Sequence, residues 1–233
     1  MSALYHRDII SPAQEENSML GLGIPTLITR LITLVIAFSV HEFSHAWTAN
    51  AFGDSTPKNA GRLTLNPLKH LDPMGTLVLI FAGFGWAKPV PVNPYALERR
   101  SSSALMWVSL AGPLSNFVLA ILASIPLRLN WVPYNSSSAL LPSPYMFLVE
   151  FISINLLLMV FNLIPLAPLD GDKIVEYFLP ESWNRAFNRI RPYSAFILLV
   201  VVFVLPMLGF DLLGWIIRPV MQNLFNLLMG YPV

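Results

Sequence analysis

Cysteine is absent from the 233 residues, and with it go disulfides, thiolate nucleophiles and every cysteine-based metal site. Charge is thin as well. Asp, Glu, Lys and Arg make up 12% of the chain, about half of what a soluble domain carries. The formal net charge is +1, so nothing favours a polyanion, and nucleic acid is not an expected partner. Histidine is scarce: only His6, His41, His45 and His70 occur. The first eighteen residues hold Arg7, Asp8, Glu15 and Glu16 and lack the short basic start of a signal peptide. The apolar stretch that follows is therefore expected to stay in the mature chain.

What is plentiful is apolar sequence, 55% of all residues. A bilayer core of about 30 Å needs roughly 20 apolar residues in a helix. Stretches 25–51, 104–128, 145–166 and 193–209 meet that length. A fifth, 211–229, is interrupted by Arg218 and Pro219 and either spans or lies at the interface. Segment 75–86, GTLVLIFAGFGW, is too short to cross and is expected to re-enter or to form a buried hairpin. The expected fold class is an all-α polytopic membrane protein forming one domain over 1–233. It has a three-helix core within 25–175, a re-entrant or β-hairpin segment, and one or two C-terminal membrane helices within 193–229.

Basic residues set the orientation. Lys58, Arg62 and Lys69 lie in the connection 53–74, Lys88, Arg99 and Arg100 in 87–103, and Lys173, Arg185, Arg189 and Arg191 in 171–192, whereas 129–144 has none. If 75–86 dips in and returns, every basic connection falls on the cytoplasmic side. The basic-free one falls outside.

Within the first span the chain reads SVHEFSHAW over 39–47. Four residues apart on a helix, His41 and His45 share one face about one turn apart, so two imidazoles can reach one ion. Glu42 sits beside that ion, placed to accept a proton from water as general base, which is the H-E-x-x-H arrangement of zinc peptidases. Ionisable groups at this depth each cost roughly a few kcal/mol or more, and a bound dication compensates three within five positions. Zinc suits imidazole and carboxylate donors, with a three-ligand site leaving one position for water. With cysteine absent, the third ligand is expected to be a carboxylate, and Glu150 and Asp170 are the remaining deep acids. Asp170 sits in FNLIPLAPLDGDK, 161–173, where Pro165 and Pro168 break the helix. Gly171 permits a turn that would bring a short Asp toward a neighbouring helix.

HEFSH on one span and NLIPLAPLDG on another together resemble the site-2 protease family, intramembrane zinc metalloproteases. Residues 162–171 match the form N-x-x-P-x-x-P-x-L-D-G at every fixed position. The resemblance covers 25 to about 175. It implies one Zn2+ held by His41, His45 and Asp170, with Glu42 and Asn162 catalytic, Asn162 holding the substrate carbonyl or the oxyanion. It also implies cleavage of single-span membrane proteins within or near their membrane segments, in regulated proteolysis or removal of signal-peptide remnants. The setting it implies is a bacterial or archaeal cell membrane, with the site toward the cytoplasm. Family members often carry a PDZ or CBS domain. No stretch between His45 and Asp170 has room for one and the sequence ends soon after 229, so a minimal form is expected.

LAGPLSNF, 110–117, carries small residues that allow close helix approach; Asn116 on it either faces the site and touches substrate or makes an interhelical hydrogen bond. GFGWAKPVPVNP, 83–94, resembles the loop that the family places beside its site. Pro89 and Pro91 remove donors from one edge of an extended strand, leaving Lys88, Val90 and Val92 to pair with an unwound substrate; a rigid proline turn is the other reading. His70 and Asp72 read as interfacial turn residues. Glu150 snorkels, pairs with Arg128 or lines a water path. A metal transporter is the rival class, but it needs successive ligand sites, and four histidines with three deep acids supply too few.

Overall fold

Apolar runs surrounded by lipid must close their backbone hydrogen bonds internally, which a helix does. The computed structural model describes residues 23–82, 85–134 and 141–230, so His6, Gly83, Phe84 and residues 135–140 of the basic-free connection fall outside the described residues. The long helices are α1 (Ile24–Ala51), α4 (Ala104–Arg128) and α5 (Pro144–Asn162). Shorter helices are α2 (Pro73–Ala82), α3 (Pro94–Arg100) and α6 (Gly171–Phe178). Then come α7 (Glu181–Met207), which includes a π-helical stretch Val200–Val204, and α8 (Leu212–Met229). Helices α1, α4, α5 and α7 are long and apolar enough to cross a membrane. The last begins earlier than the expected 193. Helix α8 is not among them, and it packs Met221, Leu224, Phe225 and Met229 on the α4–α5 core around Ile152 and Leu156.

Local chemistry sets the helix ends. Pro144 opens α5 behind an N-cap, Ser143, whose hydroxyl accepts from Met146 N–H at 3.2 Å. Asn93 caps α3 in the same way, ahead of Pro94. Gly230 closes α8 in the left-handed conformation that a residue without Cβ adopts freely.

The central packing is a four-residue periodicity written into two helices. On α1 the buried residues include Thr29, Thr33, Ala37, His41, His45 and Ala49, and on α4 Ala104, Val108, Gly112, Asn116, Ala120 and Ser124. Each set is one i, i+4 ridge of mostly small side chains, the pattern that lets two helices approach closely in lipid. Helix α4 packs on both α1 and α5 and is the middle of the core. Glu150 pairs with Arg30 at 2.6 Å, not with Arg128, whose guanidinium reaches Leu227 O at 3.5 Å. Arg30 and Glu150 sit at the same depth, each the seventh residue of its helix. An ion pair shielded this way replaces two unpaired charges in an apolar zone.

Segment 75–86 returns as expected. Asp72 caps α2 by accepting Gly75 N–H at 2.8 Å, and Leu71 and Ala87 form an antiparallel bridge, so both flanks emerge side by side. A Cβ on Gly75 would lie 3.0 Å from Trp86 N; its absence lets the returning backbone pass. Among the described residues no strand forms, and the hairpin alternative reduces to that single bridge.

Candidate metal centre

Helix α5 stops at Asn162, and the chain to Asp170 runs through tight turns with Leu166 N–H on Ile164 O and Leu169 N–H on Leu166 O. Gly171 follows, and a Cβ there would strike the carbonyl oxygens of Leu163 and Ile164. Asp170 is thereby folded back onto α1. Its Oδ2 lies 3.1 Å from His41 Nε2 and its Oδ1 3.3 Å from His45 Nε2. The two Nε2 atoms are 3.0 Å apart. The three residues anticipated as ligands are brought together, with donor atoms within 4.8 Å of one another.

The proton positions follow from what stands behind the rings. Asn155 Nδ2 donates to Phe151 O at 2.8 Å, a carbonyl that can only accept, which makes Asn155 Oδ1 an acceptor. Asn116 Nδ2 donates to it at 3.0 Å, so Asn116 Oδ1 accepts in turn, from His41 Nδ1 at 2.6 Å. His45 Nδ1 donates to Val108 O at 2.6 Å. With each Nδ1–H engaged, a neutral ring keeps its Nε2 lone pair for a metal, and both Nε2 atoms point toward each other and toward a carboxylate. Three potential ligand atoms converge on one centre, and buried Asp170 Oδ2 has no hydrogen-bond partner. A cation resolves this. A tetrahedral zinc about 2.0–2.1 Å from its donors separates them by roughly 3.3 Å, close to the spacings found. Gly112 on α4 leaves the room, since a Cβ there would lie 2.6 Å from His41 Nε2 and against His45 Nε2.

Glu42 is buried beside these rings, and its Oε2 accepts Val90 N–H at 3.0 Å. Asn162 is half-buried and donates Nδ2–H to Leu158 O of its own helix at 2.9 Å. Asn116 is fully buried behind His41, where it orients the ring; the expected substrate contact gives way to the interhelical hydrogen bond. The strand edge at Lys88 and Val90 is not open: Lys88 N–H donates to His70 O at 2.7 Å and Val90 N–H is on Glu42, while Val92 packs with Ala49, Leu97 and Val108. His70 is not an interfacial residue but fully buried, with Nε2 on Thr64 O at 2.7 Å. Sequence reasoning missed Gly112, although it belongs to the four-residue ridge of α4, and Asn155, whose neighbours four residues away, Phe151 and Met159, are large and apolar.

Fold and donor set define a class, an integral membrane protein whose helices assemble a site able to hold a divalent metal. The profile of peptidase family M50 matches residues 129–205, which include Asp170. "Putative zinc metalloprotease YwhC" of Bacillus subtilis (strain 168) is 42% identical over 178 residues, 76% of this chain and 80% of that protein. "Putative zinc metalloprotease Rip2" of Mycolicibacterium smegmatis is 36% identical over 190 residues, covering 78% of this chain and 70% of its own length. The Rip2 of Mycobacterium tuberculosis (strain H37Rv) is 32% identical over 184 residues, 78% and 67%. No solved structure gives a significant match. The chain belongs to peptidase family M50, in keeping with its resemblance to site-2 proteases. It is a zinc metalloprotease.

Proposed function

We propose that this protease hydrolyses peptide bonds within or near the membrane segments of single-span proteins, with His41, His45 and Asp170 holding the zinc and Glu42 as general base. The observation that carries the reading is the convergence of three potential ligand atoms 3.0–3.3 Å apart between membrane helices, with the Glu42 carboxylate alongside. Zinc, when bound, supplies Lewis acidity that polarises the peptide carbonyl and makes water a competent nucleophile near neutral pH. Glu42 has Oε2 engaged by Val90 N–H. The other oxygen, Oε1, takes the proton from the attacking water and delivers it to the leaving amine nitrogen.

Asn162 donates to the developing oxyanion once its Nδ2–H leaves Leu158 O. The substrate helix must unwind first, because its carbonyls are occupied by its own hydrogen bonds. An extended substrate can pair along segment 88–92 only if Val90 N–H is exchanged from Glu42. The basic connections orient the site toward the cytoplasm of a bacterial or archaeal cell membrane.

The test is cleavage of a tagged single-span substrate in proteoliposomes by wild type and Glu42→Gln. The expected result is loss of cleavage by at least about a hundredfold with one zinc per chain retained. Equal cleavage by both proteins rejects the assignment of Glu42, and zinc uptake insensitive to the substitution would favour transport.

A further inference from the structure

What holds Val90 against Glu42 is the connection that follows α1. Two charged side chains there are buried, Asp54 at 1% and Arg62 at 4% exposure. Arg62 donates to the carbonyls of Lys69, Lys88 and Pro89, the last at 2.7 Å. Asp54 Oδ2 accepts Asn93 N–H at 2.7 Å, and its Oδ1 accepts Thr56 N–H at 2.9 Å. One residue thus grips the start of segment 88–93 and the other its end. Between the grips lies the single amide that touches Glu42.

We propose that Asp54 and Arg62 are positioning residues for the hydrolytic step, acting through segment 88–93 to hold the Val90 amide on Glu42 and so fix the carboxylate that moves the proton. The proposal rests on Glu42 being the general base.

Three physical points carry it. Pro89 and Pro91 have no N–H, so the segment cannot be anchored by a full ladder on that edge, and anchoring from outside is required. Arginine suits the task because its planar guanidinium presents several donors in fixed directions, whereas the lysine ammonium is a compact point charge without that fixed fork. Burying a charge is costly unless it is hydrogen-bonded; here both groups bond to backbone atoms of the segment or its neighbours. A misplacement of about 1 Å at a reacting group costs up to roughly a hundredfold in rate.

The experiment uses the full-length zinc-loaded chain with a tagged single-span substrate and four variants: Arg62→Gln, Arg62→Lys, Asp54→Asn and Val90→Pro, the last removing the amide itself. Val90→Pro and Arg62→Gln should each lower kcat roughly ten- to a hundredfold with KM changed less, and Arg62→Lys should not rescue. The double variant of these two should be no slower than the slower single one, because Arg62 acts only through the Val90 amide. Hydrogen exchange of the 85–93 peptide should speed up in Arg62→Gln and Asp54→Asn at unchanged zinc content. If Arg62→Gln does not retain zinc, Asp54→Asn decides: wild-type kcat and unchanged exchange in that variant would overturn the proposal. Multiplying losses in the double variant, or wild-type cleavage by Val90→Pro, would overturn it too. A Glu42→Gln enzyme that cleaves normally would instead sink the general-base reading on which the proposal rests.

Discussion

At Gly112 one hydrogen atom in place of a methyl separates a usable metal site from a blocked one. Any Cβ there would push against both Nε2 atoms, which face each other across 3.0 Å. Alanine is intrinsically better than glycine in a helix by roughly 0.8–1.0 kcal/mol, so Gly112→Ala does not weaken α4 by propensity. We therefore expect Gly112→Ala to keep its helical content while zinc affinity falls at least about tenfold, read as zinc per purified chain. One full equivalent of zinc would show that the rings do not meet where described. Asn116 makes the complementary case, because it fixes the His41 tautomer from behind. Asn116→Leu is expected to cost about 10–100-fold in zinc affinity. Asn155→Leu, one hydrogen bond further back, should cost less. Chelator competition checks the order, and a larger loss at Asn155 would contradict the relay.

The element scale explains what could and could not be seen in the sequence. The turn that presents Asp170 was legible from Pro165, Pro168 and Gly171, since missing donors and a missing Cβ dictate the break wherever the chain goes. The α1 and α4 ridges were also legible in principle, as Thr, Ala, Gly and Ser recur every fourth residue. What periodicity cannot tell is which helix meets which at what depth, and so Glu150 was not matched with Arg30, 120 residues away. Asp54 and Arg62 left no signal at all, because they work through backbone atoms of a distant segment. The same holds for the clasp between α6 and α7. Arg191 donates to Glu176 at 2.5 and 2.9 Å and to Asp172 at 3.0 Å. The hydrogen bonds from Arg191, joined by Lys173 Nζ, hold the Glu176 carboxyl below its ordinary value of 4.5. A depressed folded-state value means the stabilisation is fully present above 4.5 and is lost as pH falls below it. Glu176→Gln should therefore lower Tm at pH 7 and flatten the acid-side fall of Tm below pH about 4.5; parallel Tm curves for both proteins would show that the clasp contributes nothing.

For the whole molecule the question is which way the assembled core sits in its membrane. The return of α2 through the Leu71–Ala87 bridge puts Lys58, Lys69, Lys88, Arg99 and Arg100 at one end of the bundle. At the other end, the exposed residues after α4, Trp131 and Tyr134, lie in a connection with no basic residue. Lysine and arginine near span ends are retained in the cytoplasm, so both arrangements of charge select one orientation, and they do so only because 73–82 is a short helix that turns back. A full crossing there would separate the two basic connections and weaken the preference. The sequence has no cysteine, so a single introduced thiol reports one place. In intact cells, Tyr134→Cys should react with a membrane-impermeant maleimide and Lys58→Cys should react only after the membrane is opened. Reaction of Lys58→Cys from outside, with Tyr134→Cys protected, would invert the molecule and place the Asp170 turn on the outer face. Reaction of both from outside would mean that α4 does not cross or that 73–82 does.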